Sequence, residues 1–115
     1  MKILIALILI VFLYSCSKSG SGGTPPAVDP CIGTSFRFSS DVQPIFTSTC
    51  SNSSNCHGTA STNVCGPLTD YNKIFTKRAI ISSQVRAGIM PQNSTLSADQ
   101  KNKIICWINS GAPNN

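Results

Sequence analysis

Glutamate is absent from this 115-residue chain, aspartate occurs four times and histidine once. So few acids and a single imidazole give no recognisable Ser/His/Asp or paired-carboxylate spacing, which argues against hydrolytic catalysis. Charged residues make up only 11% of the chain, nine Lys/Arg against four Asp. That balance is mildly basic but lacks the clustered Arg/Lys with interleaved aromatics of a nucleic-acid binder, so no nucleic-acid partner is expected. No alternating apolar pattern of useful length marks a strand. The longest apolar run, Ile3 to Leu13, has eleven residues, whereas a bilayer span needs about 20.

That short run is better suited to a signal peptide over residues 1–15, with Lys2 as its positive start. It ends in Leu13-Tyr14-Ser15-Cys16, which resembles a bacterial lipobox, with Leu at −3, a small residue at −1 and Cys at the cleavage point. The reading expects Cys16 to become the lipidated first residue of the mature chain and to hold it on a membrane surface. The plain alternative is an ordinary secretory peptide with a chance Cys. Residues 16–30 then form the lipidated Cys and a Gly/Ser/Pro-rich flexible tether, reaching about 20 Å as a coil. Residues 31–115 are left as one small domain. A domain of this size has a marginal core unaided, so disulfides, a metal or a cofactor are expected to support it.

The most informative stretch is Cys50-Ser51-Asn52-Ser53-Ser54-Asn55-Cys56-His57, with Met90-Pro91 following 33 residues after His57. A Cys-His dipeptide with a second Cys upstream is how a c-type haem is tethered: the thiols form thioethers to the porphyrin and the His ligates iron. Met90 is then the candidate sixth ligand, and Pro91 stiffens the turn that presents it. The chain departs from the usual pattern in having five residues between the cysteines instead of two. Three extra residues are close to one helical turn. The insertion either bulges outward and leaves both sulfurs in reach, or leaves attachment through Cys56 alone. A local Cys50–Cys56 disulfide is the main competitor. A structural zinc site is the weaker option, because disulfides would compete for its thiols in an exported protein.

Six cysteines in an exported chain point to an oxidising compartment. With Cys16 given to lipid and Cys50 and Cys56 to haem, Cys31, Cys65 and Cys106 remain. Cys31 with Cys106 is the expected pair, stapling the start of the domain to its last helix for about 4 kcal/mol in the chain-entropy picture. Cys65 with Cys106 is the alternative.

Three helices are expected. The first begins with Asp41 as N-cap and Pro44 inside the first turn, with Val42, Ile45, Phe46 and Thr49 on one face. The second opens at Thr69-Asp70-Tyr71 with Thr69 as cap, and Ser82-Ser83 is a candidate break. The third carries a capping box, Ser97 to Gln100, and stops at Gly111 and Pro113. Trp107 is read as a core or haem-wall residue. Lys73, Lys77, Arg78, Arg86, Lys101 and Lys103 either ring a docking face or are simply a solvated helix surface.

Asp41-Val42-Gln43-Pro44-Ile45-Phe46, Cys56-His57, Gly66-Pro67-Leu68 with Tyr71, Met90-Pro91, and Leu96-Ser97 through Cys106-Trp107 to Pro113 together resemble a c-type cytochrome domain. The similarity is to the small monohaem lipoprotein cytochromes of Bacteroidetes-like bacteria, and it spans nearly the whole mature domain. The resemblance implies an all-α, small cytochrome c-like domain of three or more helices around one covalent haem c. Its first and last helices cross near the haem, and its axial ligands are His57 and Met90. In such domains a Gly-Pro-X-Leu segment supports the His ring through a backbone carbonyl, a role it gives to Pro67, although Gly66-Pro67-Leu68 lacks the X.

The expected function is one-electron transfer by a membrane-anchored carrier with redox partner proteins. No small-molecule substrate is inferred, and the chain is not read as an enzyme. A periplasm-facing place in a bacterial envelope is favoured over the cell surface, because Ser17-Lys18-Ser19 lacks an acidic cluster. The competing readings are a haem-free, disulfide-stapled structural or binding lipoprotein, and a five-coordinate haem enzyme or sensor.

Overall fold

A computed structural model describes residues 27–115. The signal peptide, Cys16 and most of the tether lie outside the described residues. Within them the chain is helical, with three helical segments and no strand. No helix among the described residues is long and apolar enough to cross a membrane.

The first segment, α1, runs through three consecutive stretches, Phe38–Val42, Gln43–Ile45 and Phe46–Cys50. The outer two are wound with wide turns: the Gln43 N–H donates to the Phe38 carbonyl, and the Ser51 N–H to that of Phe46. α1 therefore starts three residues before the expected Asp41 cap. Asp41 still serves the terminus from inside the first turn, its carboxylate accepting the Arg37 N–H at 2.8 Å. The remaining caps come from far away in sequence. Asn115 accepts the Phe38 N–H at its side-chain oxygen (2.8 Å) and the Ser39 N–H at its main-chain oxygen (3.0 Å). Pro44 consequently sits past the first turn, where a proline ring crowds the carbonyl four residues earlier. The wide turn just before it relieves that contact and spares the missing N–H. Phe38, Val42, Ile45 and Phe46 face the core.

The second helix, α2, is Tyr71–Arg86. Its cap is Asp70 instead of Thr69: the Asp70 carboxylate accepts the Lys73 N–H at 3.1 Å, while the Thr69 hydroxyl accepts from the Lys73 ammonium at 3.0 Å. An aspartate one position closer to the first turn outcompetes the threonine for the orphan donor. Ser82-Ser83 does not break the helix. The burial of Ile81 and Val85 on either side holds it, and Ser82 accepts from the Arg86 guanidinium. The third helix, α3, is Ala98–Asn109, and both halves of the Ser97/Gln100 capping box form.

α2 packs on α3, and α3 crosses the start of α1. At that crossing sits an aromatic cluster. Phe38 meets Tyr71 edge-on at 5.1 Å and Trp107 at 5.4 Å, and Tyr71 stacks on Phe75 at 5.4 Å. Trp107 is fully buried. The segment after α3 folds back to satisfy the cluster's polar handles: the Trp107 indole N–H donates to the Pro113 carbonyl (2.9 Å) and the Tyr71 hydroxyl to that of Ala112 (3.0 Å). Buried Tyr and Trp need such partners.

A disulfide joins Cys31 to Cys106 across 75 residues of sequence. It ties the segment before α1 to the buried face of α3. In the chain-entropy picture a loop of that length contributes about 4 kcal/mol by restricting the unfolded chain. Replacing both residues by Ser is expected to lower the unfolding free energy by roughly that amount, read as a drop in urea midpoint, with the slope rising because the uncrosslinked denatured chain exposes more surface. An unchanged midpoint would show that the staple constrains nothing.

Candidate functional site

The site is built where α1 ends. Cys50 is the last residue of α1, and the chain leaves it through a polar loop, 51–55, before returning at Cys56. The return is closed by hydrogen bonds. The Cys56 N–H donates to the Ser53 carbonyl (3.2 Å), the Gly58 N–H to the same carbonyl (2.8 Å), and the His57 N–H to the Cys50 carbonyl (2.9 Å). The last of these bears on the unusual spacing. With two residues between the cysteines, the His would sit four residues after the first Cys, and an ordinary helical turn would make that same bond. Here the bond forms across seven residues, so the three extra residues are looped out. The tight return requires glycine at 58, where an added Cβ would lie 2.7 Å from the Ser53 carbonyl oxygen.

Cys56 is held from the other side. Its carbonyl accepts from the Ser61 hydroxyl and from the Asn63 amide. His57 is fixed at three points. Besides its N–H, its carbonyl accepts from the Leu68 N–H at 2.8 Å, and its ring Nδ1 lies 3.0 Å from the Gly66 carbonyl. A carbonyl can only accept, so Nδ1 carries the proton and Nε2 keeps its lone pair for a ligand bond. The supporting carbonyl thus belongs to Gly66, not to Pro67. Gly66 adopts φ +63°, the left-handed region that glycine enters without strain. That local reversal fits the shortened Gly-Pro-Leu segment, in which the carbonyl reaching the ring comes one residue earlier. Pro67 instead borders a separate hollow beside Lys73 and Lys77. The Gly-Pro pair was the sequence signal for a turn here, and the identity of the carbonyl depends on φ at Gly66.

Met90 follows α2 directly. The Gln84 carbonyl near the end of α2 accepts both the Ile89 N–H (3.1 Å) and the Met90 N–H (3.4 Å), which turns the chain back toward His57. His57, Met90 and Cys50 then share two adjoining cavities. One, of about 260 Å³, is apolar, with walls that include Phe46, Leu68, Ile81 and Val85. The other, of about 210 Å³, also reaches Cys56 and is rimmed by polar loop residues such as Asn52, Asn55 and Asn93. The sequence pattern placed His57 and Met90 as a pair, and the fold brings them to the same space. It did not indicate Gln84, Ser61 or Asn63, whose roles depend on tertiary placement.

Cys50, Cys56 and Cys65 are free thiols, so the local Cys50–Cys56 bridge is not formed. Burial pushes the Cys50 thiol up to about 11, and the neighbouring Cys56 adds to the effect. Cys65 lines the apolar cavity beside them. No three His, Cys, Asp or Glu side chains among the described residues are grouped to hold a bare metal ion. Of the basic residues, Lys73 pairs with Asp70 at 2.6 Å and Lys103 with Asp99 at 2.8 Å. Arg78 lies 4.0 Å over the Phe75 ring, and Arg86 reaches Asn109. Such surface pairs are worth at most about 1 kcal/mol and leave these side chains open to a partner.

The chain matches no protein-family model, and no curated protein or solved structure shows significant similarity to it.

The raised Cys50 value has a direct chemical consequence. Thiolate is the nucleophile, and its fraction at pH 8 falls roughly a hundredfold when the pKa moves from the ordinary 9.0 to about 11. The greater intrinsic nucleophilicity of a more basic thiolate recovers part of this, leaving a net slowing of about tenfold. Iodoacetamide labelling of the haem-free protein, followed by peptide mass spectrometry, should show Cys50 about tenfold slower than a free thiol at pH 8. Its rate should keep climbing with pH up to about 11 instead of levelling near 9.0. A plateau near the ordinary value would mean that Cys50 is not buried as described.

Proposed function

We propose that the protein is a lipid-anchored monohaem c-type cytochrome that carries single electrons on the periplasmic side of a bacterial envelope. The observation that carries this reading is the fixing of His57: Nδ1 on the Gly66 carbonyl, Nε2 unpaired, and the ring on an apolar cavity that Met90 also lines.

The residues present fit a covalent haem. An imidazole with one nitrogen committed to a carbonyl is the arrangement that orients a metal-binding His and raises its basicity. A thioether sits on the same cavity, apolar side chains supply walls for a macrocycle, and two unpaired thiols stand at the edge. When bound, the group supplies the one-electron iron couple. The chain's own residues do the rest. Cys50 and Cys56 would be the attachment thiols, His57 Nε2 and the Met90 sulfur would hold the iron, and the Gly66 carbonyl holds the His57 ring. Phe46, Leu68, Ile81 and Val85 exclude water. A soft thioether and a dry wall both disfavour the more highly charged ferric state, which sets the potential high. On this reading Cys16 carries the lipid, the tether gives reach to redox partner proteins, and no substrate chemistry is needed.

The test is a visible spectrum of the protein produced in a host with c-type maturation machinery, taken also as the reduced pyridine haemochrome. A c-type α band at the two-thioether position is expected, lost on His57→Ala. No Soret band, together with Cys50 and Cys56 recovered as a disulfide, would sink the proposal.

A second prediction concerns the insertion. Deleting Asn52, Ser53 and Ser54 leaves two residues between the cysteines, and the His57 N–H still meets the Cys50 carbonyl by an ordinary helical turn. The shortened protein is expected to keep haem with the same haemochrome band. A band shifted to the one-thioether position in the deletion alone would show that the loop serves the attachment itself.

A further inference from the structure

Residues 42–69 and 87–98 contain no Lys, Arg, Asp or Glu. The first of these segments carries Cys50, Cys56 and His57, and the second carries Met90. The fold brings them together, and no charged side chain lines either of the two adjoining cavities. Around the polar cavity stand the exposed carboxamides of Asn52, Asn55, Gln92 and Asn93. At the apolar cavity Val64 is 97% exposed and Ile80 40%, and Ile89, next to Met90, is 54% exposed. Single exposed aliphatics are ordinary, but aliphatics gathered at a cavity mouth mark a contact surface. The cations lie on other parts of the molecule. Lys73 and Lys103 are paired with aspartates, Arg78 and Arg86 engage Phe75 and Asn109, and Lys77 borders the separate hollow beside Pro67.

We infer that this uncharged surface docks a second copy of the same chain, in a transient two-fold contact through which single electrons pass between copies. This rests on the cytochrome reading. Residues 27–115 hold seven Lys and Arg against four Asp, so two copies repel through their charged faces and can approach closely only through a neutral one. In a two-fold contact the same patch supplies both sides and must complement itself. Lysine facing lysine fails that requirement. A carboxamide meets it, because it both donates and accepts and can pair with the same side chain of the other copy. Val64 and Ile89 lose exposed apolar area in the same contact. One electron leaves the ferrous copy and enters the ferric copy, and no bond, proton or co-reactant takes part. Copies anchored to one membrane then relay electrons among themselves.

The test is electron self-exchange in the full-length holoprotein in uncharged detergent micelles, read by NMR as magnetisation transfer between ferric and ferrous signals. Raising the salt from about 10 mM to about 500 mM cuts the screening length from about 30 Å to a few ångström, and the parent rate should change by less than about twofold. Asn93→Lys and Asn93→Asp should each slow self-exchange about tenfold at low salt, because like charge then faces like across the contact. Mixing the two variants, one ferric and one ferrous, should restore the parent rate. Slowing by both signs of charge, with rescue by their mixture, is a signature that misfolding or contact through another face does not produce. Lys77→Gln, outside the surface, should leave the rate unchanged. Three results would each overturn the inference while leaving the cytochrome reading intact: parent exchange that is undetectable or rises several-fold with salt, Asn93 variants that both match the parent, or a Lys77→Gln rate several-fold above the parent's. Absence of covalent haem in the parent would overturn both.

Discussion

The bond from the His57 amide to the Cys50 carbonyl is the constraint on which the rest of the site depends. It joins the end of α1 to the only imidazole in the chain and decides where the intervening loop must go. Without it, five residues of polar loop would leave Cys50 and His57 free to separate. With it, the geometry of one helical turn is kept although the sequence between its ends is longer. The insertion becomes a surface feature, and the steric limit at Gly58 shows how closely the return is folded against Ser53.

That bond is useful only if both of its ends are fixed, and the remainder of the domain supplies the fixing. α1 is held at its start by Asn115 and by the aromatic cluster around Trp107, which the disulfide ties to the segment before α1. His57 is held at its end by the Leu68 amide and the Gly66 carbonyl. Ser51 adds a further tie across the loop, its hydroxyl donating to the Leu68 carbonyl. The aromatic cluster and the cavity thus divide the labour: one end of α1 is packed to be immobile, and the other delivers Cys50 to the site.

What was legible in the sequence was what is encoded locally. The Ser97/Gln100 capping box needs only four consecutive residues, and α3 starts where it indicates. The Cys31–Cys106 pair followed from counting thiols and asking which bridge staples the ends of the domain. The all-helical class followed from periodicity. The misreadings share a different cause. Asp41 is a good cap in isolation, but α1 starts earlier because Asn115, distant in sequence, satisfies its first donors. Thr69 and Asp70 are both capping residues, and one hydrogen bond to Lys73 decides between them. Pro67 lost the supporting role to Gly66 because a single positive φ changes which carbonyl faces the ring. No residue pattern records that angle.

The two candidate axial donors are held very differently, and that asymmetry has a physical meaning. His57 is fixed through its amide, its carbonyl and its ring, all within 3.0 Å. Among the described residues Met90 makes one hydrogen bond, from its N–H to the Gln84 carbonyl at 3.4 Å, beside that of Ile89 at 3.1 Å. Its side chain is flexible by nature, with three rotatable bonds and a polarizable sulfur. The imidazole is therefore preorganised, whereas the thioether is left free to adapt. On the proposed reading, attachment at Cys56 beside the rigid His57 and an adaptable Met90 reached from a separate helix would suit a centre assembled in order, imidazole side first. In such a centre the α2–Met90 turn is where potential and ligand access can be tuned without disturbing the attachment.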